Sequence, residues 1–175
     1  MLKFRKASLE DTDTILQLYE ELINAVKDNK YNPQWDYGVY PKEETITNAI
    51  KEGNLYVGTL DSEIVSSIVV DHNTNLGYEN IEWKIDENYE NIYVIHLVAV
   101  KNSQQKKGIA TQMLNEVFQM AKENNIKSLR LSIIENNLPA EKVYKKLEFE
   151  YIDTISVHAD DRGLKTFDLY EKVLC

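Results

Sequence analysis

The sequence predicts a mixed α/β fold, and three observations carry that expectation. The stretch Val94-Ile95-His96-Leu97-Val98-Ala99-Val100 is an apolar run of strand length, and an amphipathic helical pattern follows it from Gly108. A further apolar run from Ser128 to Ile134 completes a strand–helix–strand unit, which should be a right-handed parallel crossover. Two other pairs of strand-like runs are joined by turn residues and read as hairpins.

Leu2 to Lys6 alternates apolar and charged residues, as a half-exposed strand does. Ser8-Leu9-Glu10-Asp11 has the pattern of a capping box. Ile15, Leu16, Leu18, Tyr19, Leu22, Ile23 and Val26 then recur at helical spacing, giving a helix over about residues 9 to 28. Residues 29 to 41 have no period but carry Trp35, Tyr37 and Tyr40 between prolines and a glycine. Such a loop either covers a ligand or packs its rings as a satellite of the core, and both readings stand at this point. A helix starts near Pro41 and ends at Gly53. Leu55 to Leu60 and Ile64 to Val70 form the first hairpin, across Asp61-Ser62-Glu63. Residues 71 to 89 are rich in acids and read as a solvated loop. The central strand covers residues 91 to 100 and, being apolar throughout, should be covered on both faces. A helix from Gly108 to Asn124, the strand 128 to 134 and a short helix capped by Asn137 follow. Tyr151 to His158 and Leu164 to Val173 form the last hairpin, across Asp160-Asp161-Arg162-Gly163.

At 175 residues, with no linker, repeat or low-complexity segment, residues 1–175 read as one domain. The hydrophobic fraction of 43% and charged fraction of 28% suit a globular protein. No stretch reaches membrane-span length, and the first residues lack the apolar core of a signal peptide. The one cysteine, Cys175, rules out a disulfide framework and a cysteine metal cluster, so a cytoplasmic setting and no metal are expected. The formal charge of -9 argues against a nucleic-acid partner and favours a cationic substrate.

Chemistry gathers at the loop after the central strand. In Gln105-x-x-Gly108-x-Ala110 the glycine lets the backbone approach a ligand, and the amides of the first helical turn point at it. Lys106 and Lys107 add local positive charge, so the loop suits a pyrophosphate without a metal. A basic loop that merely caps a helix has the same pattern. The context narrows this. Leu97-Val98-Ala99-Val100 precedes the loop, and Asn137-x-x-Ala140-x-x-x-Tyr144-x-x-Leu147-x-Phe149 follows after one more strand. Together these resemble the GCN5-related N-acetyltransferase (GNAT) superfamily, over most of the chain in element order and most specifically between Asn91 and Phe149.

The resemblance implies a mostly antiparallel central sheet flanked by helices, with a splayed parallel strand pair that binds acetyl-CoA. It implies that the backbone at Val98 and Val100 pairs with the pantetheine amides. Gln105, Lys106, Lys107, Gly108, Ile109, Ala110 and Thr111 would hold the pyrophosphate, Asn137 would contact the cofactor arm, and Tyr144 would lie near the thioester sulfur. Three positions depart from the usual pattern: Lys106 stands where glycine is frequent, Leu147-Glu148-Phe149 replaces Leu-Gly-Phe, and Ser66-Ser67 replace a strand glycine.

Acetyl transfer to an amine needs a base, because deprotonating an alkylamine of pKa near 10.4 at neutral pH costs roughly 4–5 kcal/mol. His96 is the candidate: a histidine titrates near neutrality, and the His-x-x-Ala-Val spacing looks like that of arylalkylamine N-acetyltransferases. A buried neutral histidine is the competing reading, with Glu79 and Glu82 as alternative bases. Tyr144 is the candidate acid, a phenol that can hydrogen-bond the departing thiolate. By the same resemblance the acceptor, a small-molecule primary amine, meets Trp35, Tyr37, Tyr40 and the last hairpin with His158, and members are often homodimers. A non-catalytic acyl-CoA-binding or sensor module of the same fold is the alternative function.

Overall fold

The computed structural model describes residues 1–159 and 162–174, so part of the last hairpin turn and Cys175 lie outside the described residues. The elements follow the expected order. They are β1 (Lys3–Lys6), α1 (Thr12–Val26), α2 (Glu43–Lys51), β2 (Leu55–Leu60), β3 (Glu63–Asp71), β4 (Ile92–Val100), α3 (Ile109–Glu123), β5 (Ser128–Ile134), α4 (Leu138–Lys146), β6 (Glu150–His158) and β7 (Leu164–Val173). The seven strands form one sheet in the order β1-β2-β3-β4-β5-β7-β6. Only β4 and β5 pair in parallel among the registers of the described residues; β1–β2, β2–β3, β5–β7 and β6–β7 are antiparallel. Contacts divide the chain into two compact units. One comprises Met1–Val70 and His96–Phe118, the other Asp71–Ile95 and the residues from Gln119 onward.

In the first unit a 3-10 turn at Leu9–Asp11 leads into α1. Asp11 accepts from the Ser8 amide at 2.8 Å and holds Arg5 through both carboxylate oxygens, at 2.7 and 2.9 Å. That guanidinium holds the Asp11 carboxyl down at about 2. The apolar stripe of α1 (Ile15, Leu18, Leu22) meets Ile46 and Ile50 of α2, Leu55 and Val57 of β2, and Leu97 and Ala99 of β4. Burying each such Leu or Ile side chain stabilises the fold by about 1.5–3 kcal/mol. The β2–β3 hairpin turns through Asp61 and Ser62, both at positive φ (46° and 71°), as a two-residue turn requires.

Gly58 of β2 sits opposite Ser66, and a Cβ there would meet Ser66 Oγ and lie 2.7 Å from Met113 Sδ of α3. Glycine is therefore what lets α3 approach the sheet. Gly58→Ala is expected to cost about 1–3 kcal/mol by overpacking. Thermal denaturation checks this, and an unchanged Tm would contradict it.

In the second unit β4 contributes Ile92–Ile95, paired with Ser128–Leu131 of β5. Asn125, at φ 57°, follows α3 in the left-handed conformation that ends many helices. The expectation that residues 71 to 89 form a solvated acidic loop holds for Glu79, Glu82 and Asp86, which are exposed, and is corrected for the segment's aromatic residues. Tyr78 is buried, and Trp83 packs edge-on against it at 5.0 Å and donates from Nε1 to the Tyr78 carbonyl at 3.2 Å. Arg130 of β5 explains why. Its guanidinium lies over Trp83 and Tyr89, 4.4 and 5.2 Å from the ring centres. It donates from Nε to Glu171 of β7 at 2.9 Å and from Nη2 to the Ile85 carbonyl at 2.8 Å. Glu171 also accepts from Ser128 Oγ at 2.8 Å and from the Lys84 amide at 2.6 Å. A buried ion pair thus draws the segment onto the sheet, and a periodicity search cannot detect that.

Candidate functional site

The ladder between β4 and β5 ends at Ile95, one residue before His96. Beyond it β4 alternates. Leu97 and Ala99 are buried in the first unit's core, while His96, Val98 and Val100 are half-buried on the other face. This corrects the expectation that the whole strand is covered on both faces: only Ile92–Ile95 are buried at every position. Leu97 has φ 53°, which is unusual for a residue with a Cβ and marks a local kink in the strand. Its carbonyl accepts from the Tyr19 hydroxyl of α1 at 2.6 Å.

After β4 a 3-10 turn at Asn102–Gln104 leads into the loop. Gln105 donates from Nε2 to the Val100 carbonyl at 3.3 Å and to Asn102 Oδ1 at 3.1 Å, which ties the loop to the strand end. Lys107 donates to Gln104 Oε1 at 3.3 Å. Lys106 and Gly108 both have positive φ, 61° and 78°. The conformation at residue 106 is one that glycine adopts at no steric cost, which is why glycine is the frequent residue there and why lysine is strained. The Gly108 carbonyl takes the Gln112 amide at 3.0 Å, so the amides of Ile109, Ala110 and Thr111 belong to the open first turn of α3. A Cβ at Gly108 would have nothing within 4 Å, leaving room at that turn for a ligand. Lys106, Lys107 and Gly108 are exposed, Ile109 is buried, and Ala110 and Thr111 are half-buried.

Trp35 and Tyr40 pack against the first unit's core, with the Trp35 ring tilted on Tyr19 at 5.7 Å, whereas Tyr37 is exposed. The aromatic loop thus splits its two readings: two rings serve the core and one faces solvent.

Asn137 and Tyr144 belong to the second unit. Asn137 caps α4, its Oδ1 accepting from the Ala140 amide at 3.4 Å. Tyr144 lies two turns along, on the same side of the helix. It is buried and meets Phe149 edge-on at 5.5 Å. Burial pushes its phenol well above the ordinary tyrosine range, so it keeps its proton at neutral pH. Glu148, at the position of the family's glycine, has φ 64° and ends α4 in the left-handed conformation. Its carboxylate accepts from Lys172 at 2.9 Å. Glu79, Glu82 and His158 are exposed, and Glu79 accepts from Asn80 Nδ2 at 3.3 Å. Among the described residues no three His, Cys, Asp or Glu side chains gather as a metal site needs, and no helix is long and apolar enough to cross a membrane.

Sequence reasoning placed Tyr19 on the core stripe and missed its hydroxyl. The available signal was a tyrosine, which needs a hydrogen-bond partner when buried, in the middle of an apolar face.

The family model for the acetyltransferase (GNAT) family matches residues 17–149. The fold is similar to that of an acetyltransferase of the GNAT family from Streptococcus agalactiae 2603, at TM-score 0.81 and 22% identity over 99% of this chain and 96% of that one. It is similar to a putative acetyltransferase from Staphylococcus aureus Mu50, at TM-score 0.74 and 26% identity over 98% of this chain and 99% of that one. A PaiA N-acetyltransferase from Thermoplasma acidophilum, solved in complex with coenzyme A, gives TM-score 0.70 at 18% identity over 99% of both chains. With the family model covering most of its length, the chain belongs to the GNAT acetyltransferase family.

Proposed function

We propose that the protein acts in the cytoplasm as a single-domain N-acetyltransferase, moving an acetyl group from acetyl-CoA directly to the primary amine of a small molecule. Family membership carries the acyl transfer. The loop Gln105 to Thr111 is the observation that supports cofactor binding. It combines two left-handed residues, two exposed lysines, the open amides of α3 and the unfilled space at Gly108. That donor set fits a pyrophosphate. Val98 and Val100 would offer backbone groups to the pantetheine arm, and Asn137 would contact that arm.

Bound acetyl-CoA supplies an acetyl group activated as a thioester. His96 takes a proton from the attacking amine as the new C–N bond forms. The Val98 amide N–H donates to the thioester carbonyl oxygen, where negative charge develops. As the C–S bond breaks, the sulfur leaves as a thiolate that accepts a hydrogen bond from the Tyr144 phenol, which burial keeps protonated. The net charge of -9 favours a cationic acceptor.

The acceptor contacts Tyr37, with Trp35 and Tyr40 shaping the loop behind it. Tyr37→Ala is expected to raise the acceptor KM several-fold with the acetyl-CoA KM unchanged. Trp35→Ala should lower stability as well, because its ring packs on the core. Unchanged acceptor KM in both variants would remove this loop from the acceptor site. A panel of amines, scored by release of free CoA thiol, tests the reading as a whole. Release with a small amine supports it. Cofactor binding without release across the panel would instead indicate an acyl-CoA sensor.

A further inference from the structure

We infer that Tyr19 is a positioning residue for acyl transfer: by holding the Leu97 carbonyl on the α1 side of β4, it aims the Val98 amide N–H in the opposite direction, at the acyl oxygen. The inference rests on the transferase reading. Its geometry does not.

The Leu97 carbonyl and the Val98 amide belong to one trans peptide unit, so they point opposite ways. In a regular strand both would lie in the plane of the sheet, toward neighbouring strands. Here the carbonyl instead turns to the Tyr19 hydroxyl of α1, at 2.6 Å, and Leu97 takes φ 53°. The Val98 amide must then point away from α1, toward the face on which His96 and Val98 are half-buried. A left-handed leucine is sterically disfavoured and persists only where its surroundings hold it. The structure shows what holds it. Tyr19 is 1% exposed, Trp35 covers one side of its ring, and Ser67 Oγ lies 3.3 Å from its oxygen. The single phenolic proton goes to the shorter bond, leaving Ser67 to donate to the Tyr19 oxygen. Burial pushes the phenol up, so Tyr19 remains a donor across the working pH range. Leu97 and Ala99 pack in the core, so the kink is fixed on both sides of the peptide.

Nuclear magnetic resonance of the isotopically labelled, ligand-free protein reads the kink directly. The three-bond amide-to-Hα coupling and the carbonyl shift of Leu97 have left-handed values in the wild type. In Tyr19→Phe they move to extended-strand values. In the same variant kcat falls at least about tenfold, while KM for acetyl-CoA stays within about twofold. Incorporation of p-aminophenylalanine at position 19 returns an N–H donor on the same ring and recovers both the coupling and part of kcat, which a loss of packing alone would not explain. Left-handed coupling retained in Tyr19→Phe overturns the inference whatever the activity, and so does an unchanged kcat. Should Tyr19→Phe fail to fold, fluorotyrosine at position 19 carries the test, because it alters donor strength on an intact fold. An unmoved Leu97 carbonyl shift there overturns the inference. A wild type with the Leu97 geometry that neither binds acetyl-CoA nor releases CoA overturns the transferase reading, and with it the role given to the Val98 amide, while the coupling still decides the Tyr19 lock.

Discussion

Arg130→Ala is expected to lower stability by roughly 3–5 kcal/mol, because it leaves the Glu171 carboxylate buried without its cation. Arg130 and Glu171 are cross-strand partners, 2% and 0% exposed. Each is satisfied by further hydrogen bonds, from Ser128 and the Lys84 amide to Glu171 and from Arg130 to the Ile85 carbonyl. Deleting one partner exposes the full desolvation cost of the other. Replacing both, as Arg130→Met with Glu171→Leu, should recover much of the loss, since a buried pair contributes little net stability relative to apolar residues of similar size. Urea denaturation measures both variants, and the fluorescence of Trp83, which packs under the guanidinium, should change in the single variant. A loss below about 1 kcal/mol for Arg130→Ala would show that the pair is not what secures the segment from 71 to 91.

Tyr144→Phe is expected to lower kcat by about 100-fold or more with acetyl-CoA affinity nearly unchanged, as for loss of a general acid. The ring can keep its contact with Phe149, and only the hydroxyl is removed. The pH dependence has a definite sign. Burial raises the Tyr144 phenol, so its proton is lost only above the ordinary tyrosine range. An alkaline fall in kcat below about pH 10 therefore belongs to another group. His96→Ala should cut kcat/KM by about 100-fold. An unchanged kcat/KM in His96→Ala would move the base elsewhere, and an unchanged kcat in Tyr144→Phe would leave the departing sulfur to water alone.

Most of the element order was legible because each segment carries its own period or punctuation. The stripe of α1, the Asp61-Ser62 turn, the Asn137 cap and the strand–helix–strand unit all follow from local chemistry. The glycine-bearing loop after β4 was legible as the entry to a helix, and the positive φ at Lys106 there and at Glu148 after α4 explains why glycine is usual at both positions. What stayed hidden depends on partners distant in sequence. The acids of residues 71 to 89 gave no hint that Arg130 would draw Trp83 and Tyr89 inward. The apolar run of β4 concealed a change of environment at His96, where the ladder to β5 ends and burial begins to alternate. The Tyr19–Leu97 bond joins residues 78 apart, so neither helical nor strand periodicity could reveal it.

The proposed reaction is direct acetyl transfer from acetyl-CoA to a small primary amine. Incubating the protein with acetyl-CoA carrying a labelled acetyl group and a panel of cationic and aromatic amines, then following both products by mass spectrometry, tests it most directly. Direct transfer gives one labelled acetyl group on the amine nitrogen for each CoA released, with the yield lost in Tyr144→Phe and His96→Ala. Tight acetyl-CoA binding with no labelled amine, or label retained on the protein itself, would contradict it.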